Sequence, residues 1–172
     1  MGFIFGTSAT VKPHIEHMLQ KARRKLWTLR HVKKSGFGTE DLLKVFNTIV
    51  RSTLEYAVPT YHPMLTGELR DSIERIQKQA CKIIFGWDSD YDTLVSSGRI
   101  ESLDSRREKL TLNFAKKAAQ DPRFEHWFPV KDYGSLQLRR ERKYEEYYAR
   151  TERLMKSPLF YMRRALNNAN AE

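Results

Sequence analysis

Apolar residues recur along this chain at intervals that alternate between four and three, the mark of helices that bury one face. Ile15, Leu19, Ala22, Leu26 and Leu29 fall on one line of a helix expected from Pro13 to about Lys34. Pro13 suits the first turn, where its missing N–H costs nothing, and Ser35-Gly36-Phe37-Gly38 ends the run. Thr39 is expected to cap a second helix, with Glu40 and Asp41 placed favourably against the positive end of its dipole. Leu42, Leu43, Val45, Phe46, Ile49, Val50 and Leu54 cover much of its girth, so it reads as the central, most buried element. Pro59 and Pro63 then forbid a continuous helix. Thr66 is expected to cap a third, with Leu69, Ile73, Ile76, Ala80 and Ile83 on one face and Gly86 at its end.

Beyond Gly86 the helical pattern weakens. Residues 90–97 and 102–120 read as helices, the latter capped by Ser102 or Ser105 and stopped by Asp121-Pro122. Residues 122–136 hold prolines, a glycine and aromatics and read as an irregular strap. A basic helix is expected over about 137–155, and Ser157-Pro158 restarts the chain into a short helix that frays at Asn167-Asn168-Ala169-Asn170. With a brief strand remnant at residues 3–5, the pattern predicts an all-α fold: an antiparallel three-helix bundle with additional C-terminal helices. The expected division is a strand remnant and linker over 1–12, the bundle over 13–120, and the strap and basic helices over 121–172. Phe46, Ile49, Val50, Ile73, Ile76 and Ala80 are expected in the core.

Charge narrows the class of partner. Thirty-one Lys and Arg face 21 Asp and Glu among 172 residues, a net charge of +10, which favours polyanions, with nucleic acid ahead of anionic membrane. The excess is concentrated in the first helix: Lys12, Lys21, Arg23, Arg24, Lys25, Arg30, Lys33 and Lys34 stand against Glu16 alone. Arg23, Trp27, Arg30 and Lys34 share one stripe, with His14, His17 and His31 nearby. Cations around an exposed aromatic can contact phosphates while the ring stacks on a base or sugar. In the alternative, Trp27 packs inside the bundle and the cations form a solvated face, although so one-sided a run lacks the acids of an ordinary surface helix. Near the C-terminus Arg139, Arg140, Arg142, Lys143, Arg150 and Arg153 alternate with Glu141, Glu145, Glu146 and Glu152, the pattern of a salt-bridged solvent face. Tyr144, Tyr147, Tyr148, Phe160 and Tyr161 there are expected to dock this tail, with base stacking as the other reading.

No catalytic constellation, metal site or cofactor site is expected. The sequence contains no Asp-Asp pair. Asp88, Asp90 and Asp92 alternate as in a calcium loop, but Thr93 stands where glycine is required and Arg99 where the closing glutamate belongs, so they read as a loop and a helix cap. Cys81 is the only cysteine and reads as a buried small hydrophobe. His14 and His17 lie one helical turn apart without a second pair of ligands, and no glycine-rich phosphate loop or recognisable nucleophile occurs. No apolar run approaches the roughly 18–20 residues of a membrane span, nor does the start resemble a signal peptide. The expected setting is intracellular, in nucleus or cytoplasm, with no membrane partner.

Residues 48–86 add a family resemblance. They hold a helix end Leu54-Glu55-Tyr56-Ala57, a connection through Pro59, His62 and Pro63, and a helix carrying Glu74-Arg75-Ile76-Gln77-Lys78-Gln79-Ala80. This order resembles the segment just past the polymerase palm in the reverse transcriptases of LINE-type (non-LTR) retrotransposons. The likeness extends upstream through Phe3-Ile4-Phe5, His14-Ile15 and Arg24-Lys25-Leu26-Trp27. Downstream it takes in Ser102-Leu103-Asp104-Ser105-Arg106-Arg107, Phe114-Ala115-Lys116-Lys117, Arg150-Thr151-Glu152-Arg153, Lys156-Ser157-Pro158 and Arg164-Ala165-Leu166-Asn167. It implies the thumb and post-thumb region of an RNA-directed DNA polymerase, gripping template–primer duplex through the basic helix with Lys12, Lys21, Arg23, Arg24, Lys25, Trp27, Arg30, Lys33 and Lys34. Reverse transcription needs paired aspartates around two metal ions, so the resemblance implies a truncated or separately transcribed piece of a transposable element, catalytically inert alone. RNA or DNA duplex is the implied partner, with an upstream palm domain or another protein beside it. The second reading is a helical structural or protein-interaction module derived from a retroelement.

Overall fold

A computed structural model describes residues 2, 10–132 and 142–169. The strand expected at residues 3–5 lies outside them, as do Arg139, Arg140 and Glu141. The described residues form an all-α fold with no named strand. They gather into two units, Met1–Val58 with Leu65–Arg107, and Pro59–Met64 with Glu108–Glu172. The first unit ends within a helix, at residue 107.

The first unit is built on α1 (Lys12–Lys34), whose Ile15, Leu19, Ala22, Leu26 and Leu29 are all buried. Next, α2 (Thr39–Val45), a π-helical segment (Phe46–Arg51) and α3 (Ser52–Leu54) succeed one another without a break. Thr39 is the first helical residue rather than the cap: extended Gly38 holds that position and no side chain closes this end. The second helix is also less enclosed than its composition predicts. Leu42, Phe46, Val50 and Leu54 are buried, whereas Leu43, Val45 and Ile49 are half-buried.

The spacing explains both the single buried line and the π segment. Buried apolar positions recur every four residues, and each such step in an α-helix overshoots a full turn by about 40°. The line would wind away from α1. A wider π turn over Phe46–Arg51 takes up the overshoot. The hydroxyls of Thr48, Ser52 and Thr53 donate to the carbonyls of Lys44, Thr48 and Ile49 at 2.8, 2.5 and 2.9 Å, giving the loosened backbone partners. The chain then turns through Ala57, at φ 57° in the left-handed region usually given to glycine, and enters the single turn of α4 (Val58–Tyr61).

Helix α5 (Gly67–Phe85) packs against α1 and α2. Thr66 caps it, accepting from the Leu69 N–H at 3.4 Å, and Ile73, Ile76 and Ala80 are buried. Its polar residues brace α6 (Tyr91–Ser96) and the start of α7 (Leu103–Gln120). Glu74 accepts from the Tyr91 hydroxyl and from the Leu103 N–H at 3.2 Å. Gln77, fully buried, donates to the Tyr91 hydroxyl at 3.0 Å and to the Glu101 carbonyl at 2.8 Å. Beside them Cys81, Leu94 and Ile100 form a small apolar cluster with Phe85 and Tyr91. Asp90 caps α6, accepting from the Thr93 N–H at 2.9 Å, and Ser102 accepts from the Ser105 N–H at 3.2 Å at the start of α7.

In the second unit the rest of α7, a 3₁₀ helix (Pro122–Trp127) and α9 (Pro158–Ala169) enclose a separate core of Ala115, Ala118, Phe128, Tyr144, Met162 and Leu166. The 3₁₀ turn occupies part of the expected strap, where Asp121 accepts from the Arg123 N–H at 3.0 Å. The helix expected over 137–155 is not found in its described part: only α8 (Glu152–Met155) is helical. Tyr144 shows why. Its N–H and C=O are engaged by the Asn167 side-chain amide at 2.9 and 3.0 Å and are thus withdrawn from any helical ladder. Asn167, expected to fray, is accordingly buried. A 3₁₀ turn (His62–Met64) packs on α9, with the His62 and Tyr161 rings 5.5 Å apart, edge to face.

Candidate nucleic-acid interface

With seven positions of α1 buried, most of the residues between them are turned to solvent. Arg23, Arg24, Arg30 and Lys34 are exposed, and none of them pairs with an acid among the described residues. Trp27 is 60 % exposed and therefore not a core residue. Its ring lies against that of His31 with centroids 3.7 Å apart, and His31 Nδ1 is 3.0 Å from the Trp27 carbonyl oxygen. Arg23, Trp27, Arg30 and Lys34 succeed one another at four, three and four residues, a stripe about 16 Å long at the helical rise.

The remaining sequence candidates are not gathered on this stripe. Lys12 reaches Glu16 at 3.9 Å, and Lys21 is half-buried. Lys25 Nζ donates to Thr53 Oγ1 at 2.6 Å, tying α1 to α3. Lys33 Nζ donates to the carbonyl of Ile83 and, at 3.4 Å, to that of Ile84, so it caps the C-terminal end of α5. Lys25 and Lys33 brace the fold, and the exposed candidates outside these contacts are Arg23, Arg24, Trp27, Arg30 and Lys34. His14 is buried, and its imidazole is held below its ordinary value by that burial and then by the charges of His17 and Lys21.

Three residues outside the sequence candidates, Lys82, Ile83 and Trp87, join this face. An open recess of about 280 Å³ is lined by Arg30, Lys33, Lys34, Lys82, Ile83 and Trp87. Trp87 is 76 % exposed, and Lys82 Nζ lies 5.9 Å from its ring centroid. Gly86, at φ 110°, turns the chain out of α5. Ser89 closes the turn, donating from its N–H and Oγ to the Gly86 carbonyl at 3.3 and 2.7 Å. A tryptophan directly after a helix-ending glycine is visible in the sequence. Its place beside α1 is not, because that depends on the ends of α1 and α5 meeting.

Elsewhere the chemistry is sparse. Tyr144 docks in the second core, but Tyr147 and Tyr148 are 55 % and 88 % exposed. Arg142 pairs with Glu146 at 3.0 Å. Burial and then the charge of Glu74 push the Cys81 thiol up to about 11. Among the described residues no three His, Cys, Asp or Glu side chains gather as around a metal ion, and no described helix is long and apolar enough to cross a membrane. No protein-family model matches this chain, and no curated protein or solved structure matches it either.

Proposed function

We propose that this chain is a nucleic-acid-binding, thumb-like C-terminal piece of a LINE-type retroelement reverse transcriptase, catalytically inert by itself. The observation that carries the binding is the exposed face of α1, where Arg23, Arg24, Arg30 and Lys34 surround an open Trp27 without acidic partners among the described residues. Such a face suits a phosphate backbone read by form rather than by sequence. The ordered motifs of residues 48–86 supply the retroelement part of the reading.

Equilibrium titration of a nucleic-acid duplex at several salt concentrations tests it. Four phosphate contacts correspond to a slope of log affinity against log salt of about −3.6. Changing Arg23, Arg24, Arg30 and Lys34 together to Gln should remove most of the binding and flatten that slope, while leaving the fold intact because all four are exposed. Equal affinities and slopes for wild type and variant would overturn the reading and favour a protein-interaction module. Primer extension with Mg²⁺ or Mn²⁺ should yield no product; incorporation by the purified chain would refute its inertness.

A further inference from the structure

The recess at the meeting ends of α1 and α5 joins four cations to an exposed tryptophan. We infer that it docks one unpaired nucleotide, the base stacking on Trp87 and the phosphate held by Arg30, Lys34 and Lys82. The inference rests on the nucleic-acid reading of α1 and extends it from a duplex to a duplex that carries an unpaired end.

Size, charge and shape agree on that occupant. About 280 Å³ lies just below the range of ligand pockets, roughly 300 to 1,000 Å³, so one small unit fits rather than several. Arg30, Lys34 and Lys82 form no ion pair among the described residues. Lys33, the fourth cation, is committed to the carbonyls of Ile83 and Ile84. There it neutralises the negative end of the α5 dipole, which would otherwise repel an anion at this spot. Asp88 and Asp90 come next in the chain but do not line the recess, and the Asp90 carboxylate is held by Thr93. Trp87 is largely exposed, and stacking on an indole ring tolerates any base. Arg30 and Lys34 belong to both the α1 stripe and the recess, so a strand tracked along the one reaches the other.

The test compares a blunt duplex with the same duplex carrying a three-nucleotide single-stranded extension, titrated against wild type, Trp87→Ala, Trp87→Phe and Lys82→Gln. Trp87 and Lys82 are exposed, so the fold should survive each change. The extension should tighten binding about 5- to 150-fold. Trp87→Ala should abolish that gain and leave blunt-duplex affinity unchanged, Trp87→Phe should keep most of it, and Lys82→Gln should reduce it. An extension whose bases are removed but whose phosphates remain should give no gain. If extended and blunt duplexes bind equally, or if the gain survives Trp87→Ala or the abasic extension, the recess assignment is overturned while the α1 reading stands. Trp87-dependent binding of the single strand without binding of blunt duplex would keep the recess and defeat the duplex reading.

Discussion

Glu55, in the Leu54-Glu55-Tyr56-Ala57 segment, sits between two arginines, which makes it a sensitive point of the first unit. Its carboxylate takes a forked pair of bonds from Arg106, one of them Nη2 to Oε2 at 3.3 Å, and lies 3.9 Å from Arg51 Nε. Glu101 approaches the same Arg106 at 3.7 Å. Burial and then the charge of Arg106 hold the Arg51 guanidinium below its usual range, with Glu55 and Glu101 opposing the shift. Glu55→Gln keeps the shape and removes the charge, leaving two half-buried cations facing a neutral amide. A hydrogen bond to an ionised partner is worth about 1.5–3 kcal/mol, an exposed ion pair about 0–1. Side chains 14–34 % exposed stand between those limits, so a loss of about 1–2 kcal/mol is expected. For a chain of this length that corresponds to roughly 2–8 °C in melting temperature. Thermal melting of Glu55→Gln, Arg106→Gln and the double variant measures it, and the pair should be non-additive because the residues touch. A Glu55→Gln shift under roughly 1 °C, or additive single and double changes, would refute the bracing role.

Two further outcomes concern buried groups of the same unit. His14 is held below its ordinary value, so the unfolded chain takes up the proton first. Stability is full above about pH 6.5 and declines as pH falls through that value, and His14→Gln should make the fall in melting temperature between about pH 7 and 5 shallower; an unchanged slope would contradict this. Cys81, buried with its thiol pushed up to about 11, should react with thiol reagents at about pH 8 only when the fold opens, at a rate that rises with denaturant; labelling as fast as a free thiol would show the site to be open.

Helix periodicity made much of the fold legible, and the departures have local causes. The lines through α1 and α5 keep four-three spacing, which an α-helix holds straight along one face, and every expected position of α1 is buried. The second helix spaces its buried apolar residues by four, and a π segment reconciles that with a straight contact. Composition alone could not reveal which of Leu43, Val45 and Ile49 would lie to the side. At Tyr144 a tertiary partner, Asn167, replaces the helical bonds that charge alternation over 137–155 had suggested. For the interface, the exposed stripe of α1 was readable because its apolar face fixes its polar one. The contacts of Lys25 and Lys33 were not legible, since their acceptors lie 28 and 50 residues away in the chain.

The residues on which the proposed retroelement reading rests are mostly engaged in holding the helices together. Leu54, Ile76 and Ala80 are buried, Glu55 pairs with Arg106, Glu74 and Gln77 bind Tyr91 and the start of α7, and His62 lies against Tyr161. A segment of this kind specifies how one helix ends and where the next two attach, so changes in it should first be felt as lost stability. Recognition of a ligand then falls to positions free of that duty. The exposed cations of α1, Trp27 and Trp87 are such positions, because each can be replaced without opening a cavity or stranding a buried charge. That separation is what lets binding and folding be measured independently on this chain: a variant of the first group that still melts normally, or one of the second that unfolds the unit, would show the two roles to be entangled.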